Sequence, residues 1–284
     1  MIRGFLLLML ATLLWSGNYI AGRLLAPAMP ALVLNGVRWT LSALELYIIL
    51  MFTGKRLPLR EKWREFLLLG FVGMFIFSAL TYLGLHSTPA AQAGMISGLI
   101  PVAILFFGVF ILKDKGSRMA WFGSLVSVIG VLVLLGGHAG SGFTVSLGDV
   151  EILAAAGSWG LYTVLGKRFG RDMDPLTLTA GAAVFGAIPS DIAGLFSFSP
   201  HAFHMTSTAW MALVYVSTAA SVIAYFAWTV GVERVGASRA AAWMNLLPVW
   251  TAVSGIVMLG ERMTTVQMIG GALVLLGAVF AGRR

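Results

Sequence analysis

Two stretches of this chain carry rings and polar groups at helical spacing: Trp15, Asn18, Tyr19 and Gly22 in one, Trp159, Tyr162, Thr163 and Gly166 in the other. Offsets of 3, 4 and 7 place each set on one face of a helix. A second pair follows the same logic, with Ser78, Thr81, Tyr82 and His86 against Ser217, Ser221, Tyr225 and Trp228. Rings supply stacking surfaces, and hydroxyls and amides supply hydrogen bonds, so these residue types are suited to holding a solute rather than to making bonds in it. A run of hydroxyls in an apolar helix needs partners or water. A packing face bonded to neighbouring helices meets that need, and so does the wall of a wet cavity. The stripes occur in matched pairs, which favours the cavity.

Reactive chemistry is thinly represented. The chain has no cysteine, hence no disulfide framework, thiolate metal site or thiol nucleophile. His86, His138, His201 and His204 form no metal-ligand cluster, so no metal, cofactor or catalytic residue is expected. Three ionisable residues fall inside apolar runs, Arg38, Glu45 and Asp191. Such groups usually face protein or water. Arg38 and Glu45 lie two turns apart on one face and read as structural, whereas Asp191, with His86, is a candidate for proton coupling. Pro101 and Pro248 each remove a helical donor and free a carbonyl one turn earlier, with Ser97, Gly98, Trp243 and Asn245 within about a turn of them. Either proline alone could be a packing kink; as a pair they read as hinges. The candidate solute-binding set is therefore Trp15, Asn18, Tyr19, Ser78, Tyr82, Ser97, Trp159, Tyr162, Thr163, Tyr225, Trp228, Trp243 and Asn245, with Pro101 and Pro248 as hinges.

The elements that must position these residues are membrane-spanning. Of all residues 59% are hydrophobic and 11% charged, and mean hydropathy is +0.92. Spans need roughly 20 apolar residues each. Runs at 4–24, 31–52, 66–86, 90–112, 119–137, 149–168, 175–197, 209–232, 237–259 and 264–281 supply ten. The chain also matches itself. Advancing residues 77–136 by 147 positions lays Leu99, Pro101, Leu112, Gly123 and Gly130 on Leu246, Pro248, Leu259, Gly270 and Gly277, and Asp114 on Glu261. Earlier in each half an offset of 144 pairs Trp15, Gly22 and Arg23 with Trp159, Gly166 and Lys167. The expected organisation is a first five-helix repeat at 1–137, a linker at 138–148 facing outward, and a second repeat at 149–284. Because five is odd, the second repeat enters the bilayer from the opposite side, which places a solute site near the midplane where the repeats meet.

The net charge of +8 belongs to membrane orientation rather than to nucleic acid. With both termini cytoplasmic, 16 of the 19 basic residues lie on the cytoplasmic side; Arg23, Arg262 and Arg38 are the remainder. The N-terminus resembles a signal peptide in Arg3 and Ala26-Pro27-Ala28. Its apolar run is too long, however, and Arg23 interrupts it, so the first helix is expected to stay. The fifth and tenth helices carry small residues, Gly123, Gly130 and Ser127 in one and Gly270, Gly271, Gly277 and Ala281 in the other. They read as scaffold or as a homodimer surface.

The Trp-rich first helix, Leu14-Trp15-Ser16-Gly17-Asn18-Tyr19, and the Leu-x-Pro sequences Leu99-Ile100-Pro101 and Leu246-Leu247-Pro248, followed by Asp114 and by Glu261-Arg262, resemble the drug/metabolite transporter superfamily and its EamA-type domain. The resemblance spans essentially the whole chain. It implies a ten-helix all-α basket in the plasma membrane, the inner membrane in a Gram-negative host, exporting amino acids or related metabolites. The general look is most similar to the aromatic amino-acid exporters. Two departures bear on the solute. The stretch Leu8 to Asn18 lacks the carboxylate that small multidrug members use, and only one basic residue lies within a span, too few for sugar-phosphate relatives. A neutral or zwitterionic solute with a large apolar or aromatic body fits best. Another metabolite or a drug, or lipid handling without a soluble solute, are the alternatives.

Overall fold

The computed structural model describes residues 2–113, 116–136, 145–170, 173–235 and 243–281. Every regular element among them is helical, as hydrocarbon demands of segments that must pair their own backbone groups. In chain order these are α1 (Ile2–Leu25), α2 (Ala31–Phe52), α3 (Trp63–Ser87), α4 (Ala90–Leu112), α5 (Arg118–Gly136), α6 (Leu147–Phe169), α7 (Pro175–Phe196), α8 (residues 207–235), α9 (Leu246–Leu259) and α10 (Thr265–Ala281). Seven of them, α1 to α5, α7 and α8, are long and apolar enough to cross a membrane; α9 and α10 are shorter apolar helices. Asp114, His138, Arg171, Arg239, Arg283, Arg284 and residues 138–144 of the linker lie outside the described residues.

Helix starts follow local chemistry. Ser146 and Asp149 form a reciprocal capping box at α6, and Thr264 and Gln267 do the same at α10. Asp174 accepts from Thr177 N at the start of α7, directly before Pro175, and pairs with Lys55 at 2.8 Å. At α4 the cap comes from far along the chain: Glu261 accepts from Ala90 N at 2.7 Å and Ala91 N at 2.8 Å.

The principal neighbours are α1 with α8 and α9, α6 with α3 and α4, α2 with α7 and α8, α7 with α3, α4 with α9, and α5 with α10. Replacing each helix by the one five places along turns every pair into another pair of the same set. Almost every large contact therefore joins one half of the chain to the other.

The small residues of α5 and α10 are consumed within the chain. A Cβ on Gly130 would lie 2.6 Å from Val274 N and 2.8 Å from Gly270 O, and one on Gly277 would run into Gly123 O and Ser127 N. Ser127 Oγ donates to Val274 O at 3.1 Å across the same seam. Gly123 thus meets the counterpart of Gly130, and Gly130 the counterpart of Gly123. As a glycine-mediated homodimer surface this face is already occupied, and the scaffold reading holds for it.

Two helices depart from α geometry at matching positions. Residues Gly70–Ile76 of α3 and Tyr215–Ile223 of α8 are π-helical, and an offset of 147 lays the first segment inside the second. The wider turn takes carbonyls out of the α register and offers them to neighbours. Ser158 Oγ donates to Val72 O at 2.8 Å and Asn35 Nδ2 to Phe75 O at 3.3 Å in α3. In α8, Trp15 Nε1 donates to Ala220 O at 3.1 Å and Ser42 Oγ to Ser217 O at 2.9 Å.

Candidate functional site

The π-turns bring an aromatic cluster to the middle of the bundle. Trp15 of α1 lies 5.4 Å from both Tyr225 and Trp228 of α8 and 6.1 Å from Trp159 of α6, centroid to centroid. Trp159 in turn lies 5.2 Å from Tyr162, 6.2 Å from Tyr225 and 4.6 Å from Phe77 of α3. Backbone shape makes the room: a side chain at Gly73 would collide with the Tyr162 ring. Both halves contribute rings, and edge-to-face and tilted contacts predominate, the geometry that ring quadrupoles favour.

Beside the rings runs a polar network. Arg38, 4% exposed, donates from Nη1 to the Tyr82 hydroxyl at 2.6 Å and from Nε to Ser221 Oγ at 2.9 Å. Tyr82 donates onward to Asn18 Oδ1 at 3.0 Å, and Ser221 donates to Val216 O at 2.7 Å, five residues back along the π-turn. The Arg38 guanidinium stands 4.9 Å from the Trp39 ring centroid and 5.5 Å from that of Tyr82. Trp39 Nε1 donates to Ser78 Oγ at 3.1 Å. Ser97 gives its proton to Ala93 O, so the 2.6 Å contact between Tyr19 and Ser97 is donated by Tyr19.

The prolines face each other. A pocket of counterpart residues lies between α4 and the start of α9, lined by Ser97, Gly98, Ile100 and Pro101 on one side and Met244, Asn245, Leu247 and Pro248 on the other. The expectation of an unpaired carbonyl is corrected at Pro101. The chain tightens to a 3₁₀ turn over Ser97–Leu99, and Ile100 N–H takes Ser97 O, the carbonyl Pro101 leaves without an α-helical donor. Pro101 then sits in the first turn of the restarted helix, where its missing donor costs little.

Several expected members stand apart. Trp243 stacks on Phe5 at 5.6 Å and packs with Leu8, the leucine that Trp228 also contacts. Thr163 spends its hydroxyl on Trp159 O. Asp191 is exposed and accepts from Thr40 at 2.7 Å; His86 is exposed at the end of α3, where its carbonyl and that of Leu85 accept from Arg23. Both lie at the rim, because their helix positions turn away from the buried faces. Glu45 accepts from Thr218 at 2.8 Å and not from Arg38. Among the described residues no group of three His, Cys, Asp or Glu side chains is placed to hold a metal.

Sequence reasoning missed Arg38 as a member of the site, although a lone arginine inside an apolar run was its signal. It also missed Trp39, Phe77 and both π-turns. Trp39 lies on the same helix next to that arginine; the π-turns leave no local signature.

A bundle of long apolar helices with rings, hydroxyls, an amide and a guanidinium gathered among them is a membrane transporter by class, as the comparisons with known proteins show. The EamA-like transporter family matches residues 2–136 and again 146–283. The chain is 33% identical over 250 residues to the uncharacterized transporter YyaM of Bacillus subtilis (strain 168), covering 86% of this chain and 82% of that one. It is 26% identical over 287 residues to a "Probable amino-acid metabolite efflux pump" of Salmonella typhimurium (strain LT2), covering 96% and 92%. A crystal structure at 24% identity superposes with a TM-score of 0.71 over 98% of this chain and 96% of its own, a likeness of fold. The chain belongs to the EamA-like transporter family.

Proposed function

We propose that this protein exports amino acids, aromatic and other large neutral ones above all, by alternating access around the ring cluster. The observation that carries the reading is the cluster itself: Trp15, Trp159, Tyr162, Tyr225 and Trp228 come from both halves and adjoin buried hydrogen-bonding groups. The name of the Salmonella relative points the same way. The architecture proposed with it is ten spans as two inverted five-helix repeats, both termini cytoplasmic, in the bacterial plasma membrane. The self-reciprocal helix pairs and the crossed glycine contacts of α5 and α10 support it, since a two-fold axis in the membrane plane generates both.

Counterflow in proteoliposomes preloaded with unlabelled substrate tests the solute. Labelled tryptophan, phenylalanine and leucine are expected to accumulate transiently and lysine and glutamate not. Accumulation of none of the neutral amino acids, with an unrelated metabolite accumulating instead, overturns the amino-acid reading.

The paired prolines give a mechanical test. Pro101→Ala allows the 3₁₀ turn to revert to α-helix and regain one backbone bond, worth about 0.5–1.5 kcal/mol, or a roughly two- to tenfold shift between two states. The reporter is a single cysteine at Asn245 in this cysteine-free chain, labelled with an impermeant maleimide; cysteines at Lys62 and Ser199 serve as inside and outside standards. Pro101→Ala and Pro248→Ala are expected to shift labelling in opposite directions and to slow turnover. Unchanged labelling in both assigns the prolines to packing.

A further inference from the structure

Arg38 is a buried charge with no counter-charge among the described residues. A guanidinium stays protonated at any working pH, and an ion moved out of water needs an opposite charge or full hydrogen bonding. Its protein partners are two neutral hydroxyls, on Tyr82 and Ser221. The ion pairs among the described residues are Lys55 with Asp174 and Lys62 with Glu65. Acids of α2, α7 and α6 accept hydrogen bonds from other groups: Glu45 from Thr218, Asp191 from Thr40, and Asp149 from Thr88 and Gln92. Of the guanidinium's five N–H groups these two bonds use two, and Nη2 makes no hydrogen bond among the described residues. Nor does the repeat supply a partner or a twin, since the 144-residue offset lays Arg38 on Ala182.

Its surroundings say what is missing. Ser221 is one helical turn from Tyr225, and Asn18, which receives the Tyr82 proton, is one turn from Trp15. The charge and the ring cluster are therefore neighbours across about one helical turn. A planar guanidinium with free N–H groups is shaped for a carboxylate, which it binds through two parallel bonds.

We propose that Arg38 is the carboxylate-binding residue of the central site, so that the solute must carry a carboxylate beside a large apolar or aromatic body. This rests on the transport reading above and sharpens it: the acid group is required, and amines or amides of the same shape are rejected. The buried charge is then neutralised only in the loaded protein. A purely structural arginine, held by Tyr82 and Ser221, has no reason to tell an acid from its amide.

The experiment uses the full chain, purified and in proteoliposomes, with four probes of one shape: L-phenylalanine, L-phenylalaninamide, phenethylamine and 3-phenylpropionate. Binding is read by substrate-induced thermal stabilisation and by quenching of intrinsic tryptophan fluorescence, uptake by counterflow. The unmodified protein is expected to prefer phenylalanine and 3-phenylpropionate over the amide and the amine by about tenfold or more, as loss of a charge-assisted fork implies. Arg38→Lys keeps the charge without the fork and should retain a reduced preference; Arg38→Gln should abolish it. Equal recognition of phenylalanine and its amide by the unmodified protein overturns the role of Arg38 while leaving amino-acid export standing, and that comparison needs no variant to fold. Arg38-dependent uptake of 3-phenylpropionate without uptake of any amino acid supports the role of Arg38 and overturns the amino-acid reading. Uptake of the amine and amide alone overturns both.

Discussion

Gly277→Leu is expected to remove folded protein from the membrane. A Cβ there already meets Gly123 O and Ser127 N, which are backbone atoms and cannot rotate aside, so the new side chain forces α5 and α10 apart along their length. Overpacking a site whose neighbours can shift costs about 1–3 kcal/mol. Here the neighbours are backbone atoms of α5, and separation also breaks the bond from Ser127 Oγ to Val274 O. Because the backbone cannot shift locally, the cost exceeds that figure and takes a large share of a typical net stability of about 5–15 kcal/mol. Gly157 of α6 is the control, since a Cβ there meets nothing within 4 Å. Size-exclusion chromatography of fluorescent fusions should show the Gly277→Leu protein aggregated or degraded and the Gly157→Leu protein monodisperse. A monodisperse Gly277→Leu protein with parental melting temperature would mean that the seam is looser than its geometry states.

Trp159→Ala should weaken transport of aromatic amino acids most among the tryptophans. Its ring touches Trp15, Tyr162, Tyr225 and Phe77, so alanine removes the shared wall of the cluster. A lost stacking partner is worth about 0.5–1.5 kcal/mol beyond area burial, or roughly three- to tenfold in affinity. Trp159→Phe should recover part of it. Trp121, 47% exposed on α5, is expected to tolerate alanine. Trp243→Ala, which sequence spacing ranks beside Trp159, should fall between them because its ring stacks on Phe5. Apparent KM for tryptophan, normalised to protein in the membrane, is the measurement. Parental KM in Trp159→Ala would return the cluster to the status of packing.

Helix positions were legible because hydrocarbon imposes one rule on every span, and the runs at 31–52 and 90–112 coincide with α2 and α4 to the residue. The ring stripe was legible for a related reason. Trp15 and Trp159 recur at helical spacing in both halves, and the structure brings them within 6.1 Å. Depth and direction were harder to read. Asp191 follows Pro189 inside an apolar run and looks buried, yet only the rotation of α7 against α2 decides that it faces outward to Thr40. Arg38 was visible as a residue and opaque as a role, because its value depends on Tyr82 and Ser221, 44 and 183 positions away. The π-turns had no local signal at all: the side chains that stabilise them, Trp15 and Ser158, stand on other helices.

Those last contacts bear on how the chain is made. Val72 O in the first half is capped by Ser158 of the second, while Ala220 O and Ser217 O in the second are capped by Trp15 and Ser42 of the first. Each half alone would hold bare carbonyls in lipid, where nothing else can pair them. The two segments that the family model matches are therefore one unit of assembly, each supplying donors that the other's carbonyls need.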